Sequence, residues 1–469
     1  MTKSDILQKA RSILEGIPKD DLVSAGLWRD RFSYELVYNY PPARILLPMQ
    51  SFTVFPATLA SHAPDKSIGL YIHIPFCKGR CSFCHYLRYT NSRKELVDIY
   101  LDSILGELKL LSETPSLKHA SISSIHVGGG TPTILYDLHI AAFMNFARNH
   151  FKIMEAAEIT FESSPETIIG ENSSKLQTLL RNGVNRLNIG VQAFDDRLLA
   201  LCGRRHTASD AEFAIRKARD AGFVNINIDV IYGLPDQDLK DWQRTLVKIE
   251  ELRPESVTIY NLRIFHGTRF AKFPPNRFPS EYESLLMQIY GYESLKYMGY
   301  SHLQPCQFVL SSSNVHQYVI DKWEKGGEFL GVGMSSYGYI NDCLYVNHRT
   351  LEEYKDSIRR NEIPVCLGIK LTQGQRRSKA MILGLKVLPV GVNCLEFRSK
   401  FGMTTEEAFG DTLAKLENLG LLERSADKIR LSPRGILFSD EVCVEFYTPE
   451  DKIKLRQIGS SKYGCYLPY

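Results

Sequence analysis

A chain of 469 residues is longer than one compact domain usually is, and its length calls for about two to three. With 44% hydrophobic and 23% charged residues it can fill an ordinary globular core, and a net charge of +4 argues for neither nucleic acid nor a membrane surface, while leaving anionic substrates open. The amino terminus carries Lys3 and Asp5 where a signal peptide needs an apolar core, and no run of about 18 apolar residues follows, so the expectation is a soluble, cytoplasmic protein without a membrane partner.

Taken in order, residues 1–66 open with a short helical pattern (Ile6, Ile13, Leu14). An aromatic and proline-rich stretch ending in Tyr40, Pro41 and Pro42 follows. Without clean periodicity this reads as an arm lying over a larger body, a packed strap that could also close a barrel mouth. From 67 to 340 apolar β-like runs alternate with helical patterns. Strands are expected at 68–75, 123–127, 158–161, 186–191, 225–231 and 256–260, with helices between them such as 94–112, where Leu96, Tyr100, Ile104 and Leu108 share a face. Six βα units specify an α/β fold, an open (β/α)6 partial barrel with right-handed crossovers. The helical stretch 282–298 and the glycine-rich turn around Gly331 and Gly333 are expected as a side and lid region, and 341–370 as a linker. Residues 371–450 read as three helices plus a two-stranded wing, a winged-helix-like domain, and 451–469 as a tail. The candidate recognition helix there begins Glu406-Glu407 and is acidic, which argues against a nucleic-acid partner.

Chemistry concentrates just after the first strand. Cys77, Cys81 and Cys84 stand at C-x3-C-x2-C spacing on a loop at the carboxyl end of a strand, where α/β folds place their sites. Three thiolates so close can share one metal centre: a zinc clip closed by His85, or a [4Fe–4S] cluster with one iron left open to a ligand. The other seven cysteines lack framework spacing and read as buried or free thiols. Gly128-Gly129-Gly130-Thr131 follows the second strand, where consecutive glycines let backbone amides approach a ligand. Glu162 ends the third strand, and Gln192 and Asp229 interrupt apolar strands, a costly placement unless they are paired or bind something. Arg204 and Asp229 could simply form a buried ion pair.

The three-cysteine motif, with Phe83 before its last cysteine and Tyr71-Ile-His-Ile-Pro-Phe76 ahead of it, resembles the radical S-adenosylmethionine (SAM) enzymes. Within them it resembles the HemN-like group typified by oxygen-independent coproporphyrinogen III oxidase. The resemblance covers about residues 68–450 and implies the partial barrel and the carboxyl-terminal domain. It also implies a [4Fe–4S] cluster on Cys77, Cys81 and Cys84, and a flavodoxin- or ferredoxin-type electron donor. Tyr71, Gly129 and Glu162 would serve a cluster-bound SAM; Phe83, Gly130, Thr131, Gln192, Arg204 and Asp229 match positions that hold a second SAM in the oxidase. Tyr337 replaces an apolar residue near that second site, His85-Tyr86 stands where the oxidase has Gly-Cys, and Leu262-Arg263 departs in the same region. With two SAM molecules and these departures, the expected reaction is methyl transfer or cyclopropane formation at an sp2 carbon of a small molecule, with Asp229 and Glu162 as catalytic residues. Coproporphyrinogen III oxidation and haem binding by a chaperone or haem-processing protein are the alternatives.

Overall fold

The computed structural model describes residues 2–28, 37–48, 67–90, 92–115, 117, 120–170, 174–275, 277–323 and 326–458. Six strands run side by side in chain order, each parallel to the next: β1 (Ile68–Ile74), β2 (Ser121–Gly129), β3 (Lys152–Ser163), β4 (Arg186–Gln192), β5 (Ile226–Tyr232) and β6 (Ser256–Asn261). The inner face of the sheet borders the chambers, and the opposite face packs in the core and needs apolar residues at alternate positions. In β1, Ile68, Leu70, Ile72 and Ile74 are all fully buried. The helices on the outside start where the sequence supplies caps: Thr207 with Asp210, Asp238 with Asp241, and Ser280 with Glu283 each form a capping box. Helix Lys94–Glu113 turns Tyr100, Ile104 and Leu108 inward, the face expected from its spacing.

A seventh parallel strand, β7 (Phe329–Val332), pairs with the free side of β1, aligning Leu330 with Leu70. It lies in the glycine-rich stretch expected to be a turn. The glycines are there for close approach: a Cβ on Gly331 would stand 2.0 Å from the carbonyl oxygen of Tyr337, and one on Gly338 2.1 Å from the Tyr345 ring. The stretch expected as a linker is likewise structured. Strands Cys343–Asn347 and Val365–Lys370, with helix Leu351–Arg359 between them, continue the sheet antiparallel beyond Tyr337–Ile340. At the other edge β6 takes the antiparallel strands Gln307–Val309 and Ser301–Gln304, so the sheet stays open.

Beyond Leu371, helices Gln373–Leu385, Cys394–Phe401 and Thr405–Asn418 precede a small sheet in which Lys428–Leu431 lies between Val392–Asn393 and Leu422–Arg424. Helix Pro449–Ile458 occupies the start of the expected tail. The arm is anchored at both ends of its described part. Ile6, Ala10 and Leu14 of helix Lys3–Glu15 are buried, and Leu47–Pro48 adds to the sheet edge at Leu367–Gly368. Between them Tyr40, fully buried, places its hydroxyl 2.6 Å from Asp451 Oδ2. Residues 29–36, part of the aromatic stretch, lie outside the described residues, as does Cys465. The nine described cysteines are free thiols. Among the described residues no helix is long and apolar enough to cross a membrane.

Candidate active site

After β1 the chain turns through Pro75 into the cysteine loop. This loop is fixed to the barrel by backbone bonds: Tyr89 N donates to Pro75 O (2.6 Å) and Ser82 N to Cys202 O (2.8 Å). The glycine turn after β2 is fastened to it, with Gly130 N donating to Ile74 O (2.7 Å) and Thr131 N to Phe76 O (2.8 Å). Only glycine allows this approach. A Cβ on Gly130 would meet Phe76 O at 2.6 Å and Cys77 Sγ at 3.0 Å, and Gly129, at φ +112°, would drive one into the His73 ring at 2.5 Å.

The three thiols border one chamber of about 160 Å³, together with Phe83, Gly129, Gly130, Thr131, Gln192 and Arg204. Burial, with Cys84 and Cys81 beside it, pushes the Cys77 thiol up to about 12, and burial also raises Cys84. Three thiolates packed together are therefore unfavourable until a cationic centre neutralises them, which a metal cluster does. Arg204 Nη1 lies 3.3 Å from Cys81 Sγ. Among the described residues no three His, Cys, Asp or Glu side chains close on a single ion; a cubane asks less, because each thiolate takes a different iron. The donor set fits an iron–sulfur cluster.

Two larger chambers adjoin it. The second, about 300 Å³, shares Phe83, Cys84, Tyr86 and Gln192 with the cluster chamber and adds Asp229, Tyr260, Arg263 and Lys386. The first, about 310 Å³, opens inside the barrel and shares Glu162, Asp229 and Tyr260 with the second. Tyr71, His73, Gly129 and Tyr337 line it too, and Tyr38 and Asn39 from the arm form part of its wall. Thus the residues expected to hold the cluster-bound SAM, Tyr71, Gly129 and Glu162, meet in one chamber. Those expected for a second SAM divide: Gly130, Thr131 and Arg204 stand at the cluster, Asp229 away from it, and Phe83 and Gln192 on both sides of the passage.

Glu162 is held firmly. Burial opposes its charge, but His126, 2.9 Å from Oε1, and the amide of Gly129, 3.1 Å from Oε2, keep its carboxyl below the usual range. For Asp229, burial and then the Glu162 charge raise the carboxyl to about 6. The Arg204–Asp229 ion pair considered from sequence is not formed. Arg204 Nη2 donates to Gly190 O at 2.7 Å, while Asp229 accepts from Asn227 Nδ2 at 2.9 Å. Gln192 ends β4 at φ +71°, a strained conformation for a side chain other than glycine. Sequence reasoning missed His73, His126 and His316, and the polar floor of Asn188, Asn227 and Thr258. A signal existed for all but His316, which lies just before helix Gln317–Trp323: in β1 to β6 the others fall at alternate positions in otherwise apolar strands, and the parallel register stacks Glu162, Asn188, Asn227 and Ser256 in one row.

Residues 71–249 match the family described as the Radical SAM superfamily, and residues 371–438 match the HemN C-terminal domain. The heme chaperone HemW of Buchnera aphidicola is 30% identical over 58% of this chain and 70% of its own length. The chain belongs to the HemN-like group of the radical SAM superfamily. HemW of Bacillus subtilis is 28% identical over 79% of this chain and 97% of that protein. The solved coproporphyrinogen III oxidase (HemN) of Escherichia coli superposes with a TM-score of 0.78 at 26% identity, over 88% of this chain and 97% of HemN. This HemN-like protein is therefore a radical SAM enzyme whose cofactors are a [4Fe–4S] cluster and SAM.

The expectation of methyl transfer or cyclopropane formation is corrected by the same comparisons. Relatives aligned over most of their length are named for porphyrinogen oxidation or haem handling, and they give no support to alkyl transfer. The physical reason is plain. Phe83, Gln192, Arg204 and Asp229 were read as marks of a second SAM through their resemblance to the oxidase motif, so on that reading they carry no information about which bond is made.

Proposed function

We propose that this HemN-like enzyme oxidises a porphyrinogen-type polycarboxylate, removing hydrogen from a propionate side chain with loss of carbon dioxide. The observation that supports this is a pair of guanidinium groups on the larger chambers: Arg349 borders the first and Arg263 the second, beside the carboxylates of Glu162 and Asp229, while Lys386 is taken up by Asp440, so arginines on two separate segments are placed to meet carboxylates of a substrate. Full-length similarity to the Escherichia coli oxidase supports the same reading.

Cys77, Cys81 and Cys84 would hold the cluster, and Tyr71, Gly129 and Glu162 the SAM bound to it. Once bound, the reduced cluster supplies one electron to SAM, giving methionine and a 5′-deoxyadenosyl radical that takes a hydrogen atom from substrate. Glu162, ionised and anchored, orients SAM groups that donate hydrogen bonds. Asp229, on the passage between the larger chambers, would bind the adenosine of a second SAM or position the substrate. Phe83 and Gln192 stand where the second chamber meets the cluster chamber and exclude water there. Loss of the carboxylate sends a second electron to an external one-electron acceptor and leaves a vinyl group. A flavodoxin- or ferredoxin-type protein would be the donor to the cluster.

A second reading, haem binding, is favoured by one specific feature. His85 occupies the place of the oxidase glycine, lines the second chamber and lies with its ring 4.0 Å from that of Phe265; the HemW relatives are aligned over nearly their whole length. The test is anaerobic incubation of reconstituted protein with SAM, dithionite and coproporphyrinogen III. The oxidase reading expects a product one or two carboxyl groups lighter, absent in Cys81→Ala. Unchanged porphyrinogen, together with a sharp haem absorption band that His85→Ala abolishes, would replace it with the haem reading.

A further inference from the structure

An electron must reach the cluster from outside, and the stretches around the cysteine loop are rich in cations, of which Lys94 is offset by Asp98 at 3.8 Å and Arg277 by Glu283 at 3.6 Å. The stretches 77–94, 203–206 and 262–277 contain eleven Lys or Arg residues and no Asp or Glu, in a chain whose net charge is only +4. The fold joins them. Ser82 N donates to Cys202 O at 2.8 Å, Phe270 N donates to Ser82 O at 3.0 Å, and Arg80 Nη2 donates to Gly267 O at 3.2 Å. Lys78, Arg80, Arg205, Arg269 and Lys272 are exposed on this joined surface. Lys78 gives its charge to a backbone carbonyl, Glu166 O at 2.9 Å, and not to a carboxylate. The Glu166 carboxylate itself lies 3.3 Å from His206 Nδ1 and is only 19% exposed. Beside Lys272 stands Phe273, 73% exposed.

We propose that this face is the docking surface for an acidic flavodoxin-type protein. Electron transfer needs a short gap, so the donor must sit over the loop that carries the thiolates, and Lys78 and Arg80 lie on that loop. Complementary charge guides such brief, small-area encounters. The exposed aromatic ring among the cations fits a flavin, whose apolar ring edge reaches the surface of its carrier. In the docked complex the reduced flavin loses one electron and the cluster gains it; no atom passes between the partners. The proposal rests on the radical SAM assignment, which implies an external donor, and adds the face on which it docks.

The test uses the full-length reconstituted enzyme and the double variant Arg269→Glu/Lys272→Glu, two positions outside the cluster chamber. Formation of 5′-deoxyadenosine is driven either by dithionite or by a reduced flavodoxin, and binding of oxidised flavodoxin is measured directly by biolayer interferometry. The expected result is an unchanged dithionite rate, with flavodoxin KM and Kd each raised about tenfold or more. Wild-type Kd should also weaken as salt rises from about 0.01 M to 0.15 M, a readout that needs no variant. Equal flavodoxin KM and Kd in both proteins would overturn the proposal, as would charge-sensitive reduction by a plant-type ferredoxin with none by flavodoxin. If dithionite yields no 5′-deoxyadenosine from the wild type, the radical SAM reading fails first.

Discussion

His126 Nε2 lies 2.9 Å from Glu162 Oε1, and its Nδ1 lies 3.1 Å from His316 Nε2. The row continues inward: His316 is 3.7 Å from Glu158, and Arg186, fully buried, is 4.0 Å from Glu158 and 2.8 Å from Ser256 Oγ. A carboxylate in the working chamber is thus braced, through two histidines, on the floor of the barrel. His126 and His316 are both buried, so the imidazole of His126 cannot leave without removing the protein partner of Glu162 Oε1.

Replacing that imidazole by a ring of similar size tests the brace. His126→Phe should weaken SAM binding by about tenfold to a hundredfold, the loss of one hydrogen bond to a charged group, while iron loading on the cysteines stays full. Equilibrium dialysis of SAM against anaerobic protein measures the first and iron analysis the second. His126→Gln, which keeps a donor, should recover part of the affinity. Because Glu162 is held below the ordinary carboxylate range, it stays ionised at neutral pH. SAM affinity should therefore be flat near neutrality and fall only as acid protonates Glu162.

Asp229 behaves in the opposite sense. Burial and the Glu162 charge raise its carboxyl to about 6 from an ordinary 3.8, so the folded state binds that proton more tightly than the unfolded chain does. Stability contributed by the neutral form is complete below about pH 4 and is lost as pH rises through 6, by on the order of 3 kcal/mol. Asp229→Asn should match wild type in acid and melt at a higher temperature above pH 6, a divergence that calorimetry against pH would show.

Tyr40 couples the arm to the carboxyl-terminal region. Its hydroxyl lies 2.6 Å from Asp451 Oδ2 and accepts from Thr448 N at 3.1 Å, and Gln375 Nε2 donates to the same carboxylate at 3.0 Å. Tyr40→Phe should cost about 1.5–3 kcal/mol, read from urea denaturation. Because Tyr38 and Asn39 wall the first chamber, substrate KM should rise as well. A double-mutant cycle with Asp451→Asn should recover most of the single loss as coupling.

What the sequence made legible follows from which signals are local. β1 to β6 were readable because the core-packed face of each strand is apolar at alternate positions and rich in β-branched residues, and the cysteine loop because its thiols lie within eight residues of one another. β7 was not readable, since Gly331 within it and Gly333 just after it stand where close neighbours leave no room for a Cβ, and glycine reads as turn. The strands within 341–370 were missed because Asn341, Asp342 and Asn361, all at positive φ, read as loop punctuation. The positions of Glu162 and Asp229 in the chambers were anticipated, but the side chains that set their charge were not: His126 is 36 residues from Glu162, and His316 a further 190 from His126. For Arg204 the ion pair with Asp229 was only the alternative to a SAM contact, and the fold gives it Cys81 and a carbonyl as neighbours.

The most direct test of the account follows the hydrogen atom. Coproporphyrinogen III deuterated at the propionate carbons adjacent to the ring is incubated anaerobically with reconstituted protein, SAM and reductant, and the 5′-deoxyadenosine is weighed by mass spectrometry. The account predicts 5′-deoxyadenosine carrying one deuterium, formed together with carbon dioxide, and neither product from Cys77→Ala. Undeuterated 5′-deoxyadenosine with the porphyrinogen returned intact would contradict it.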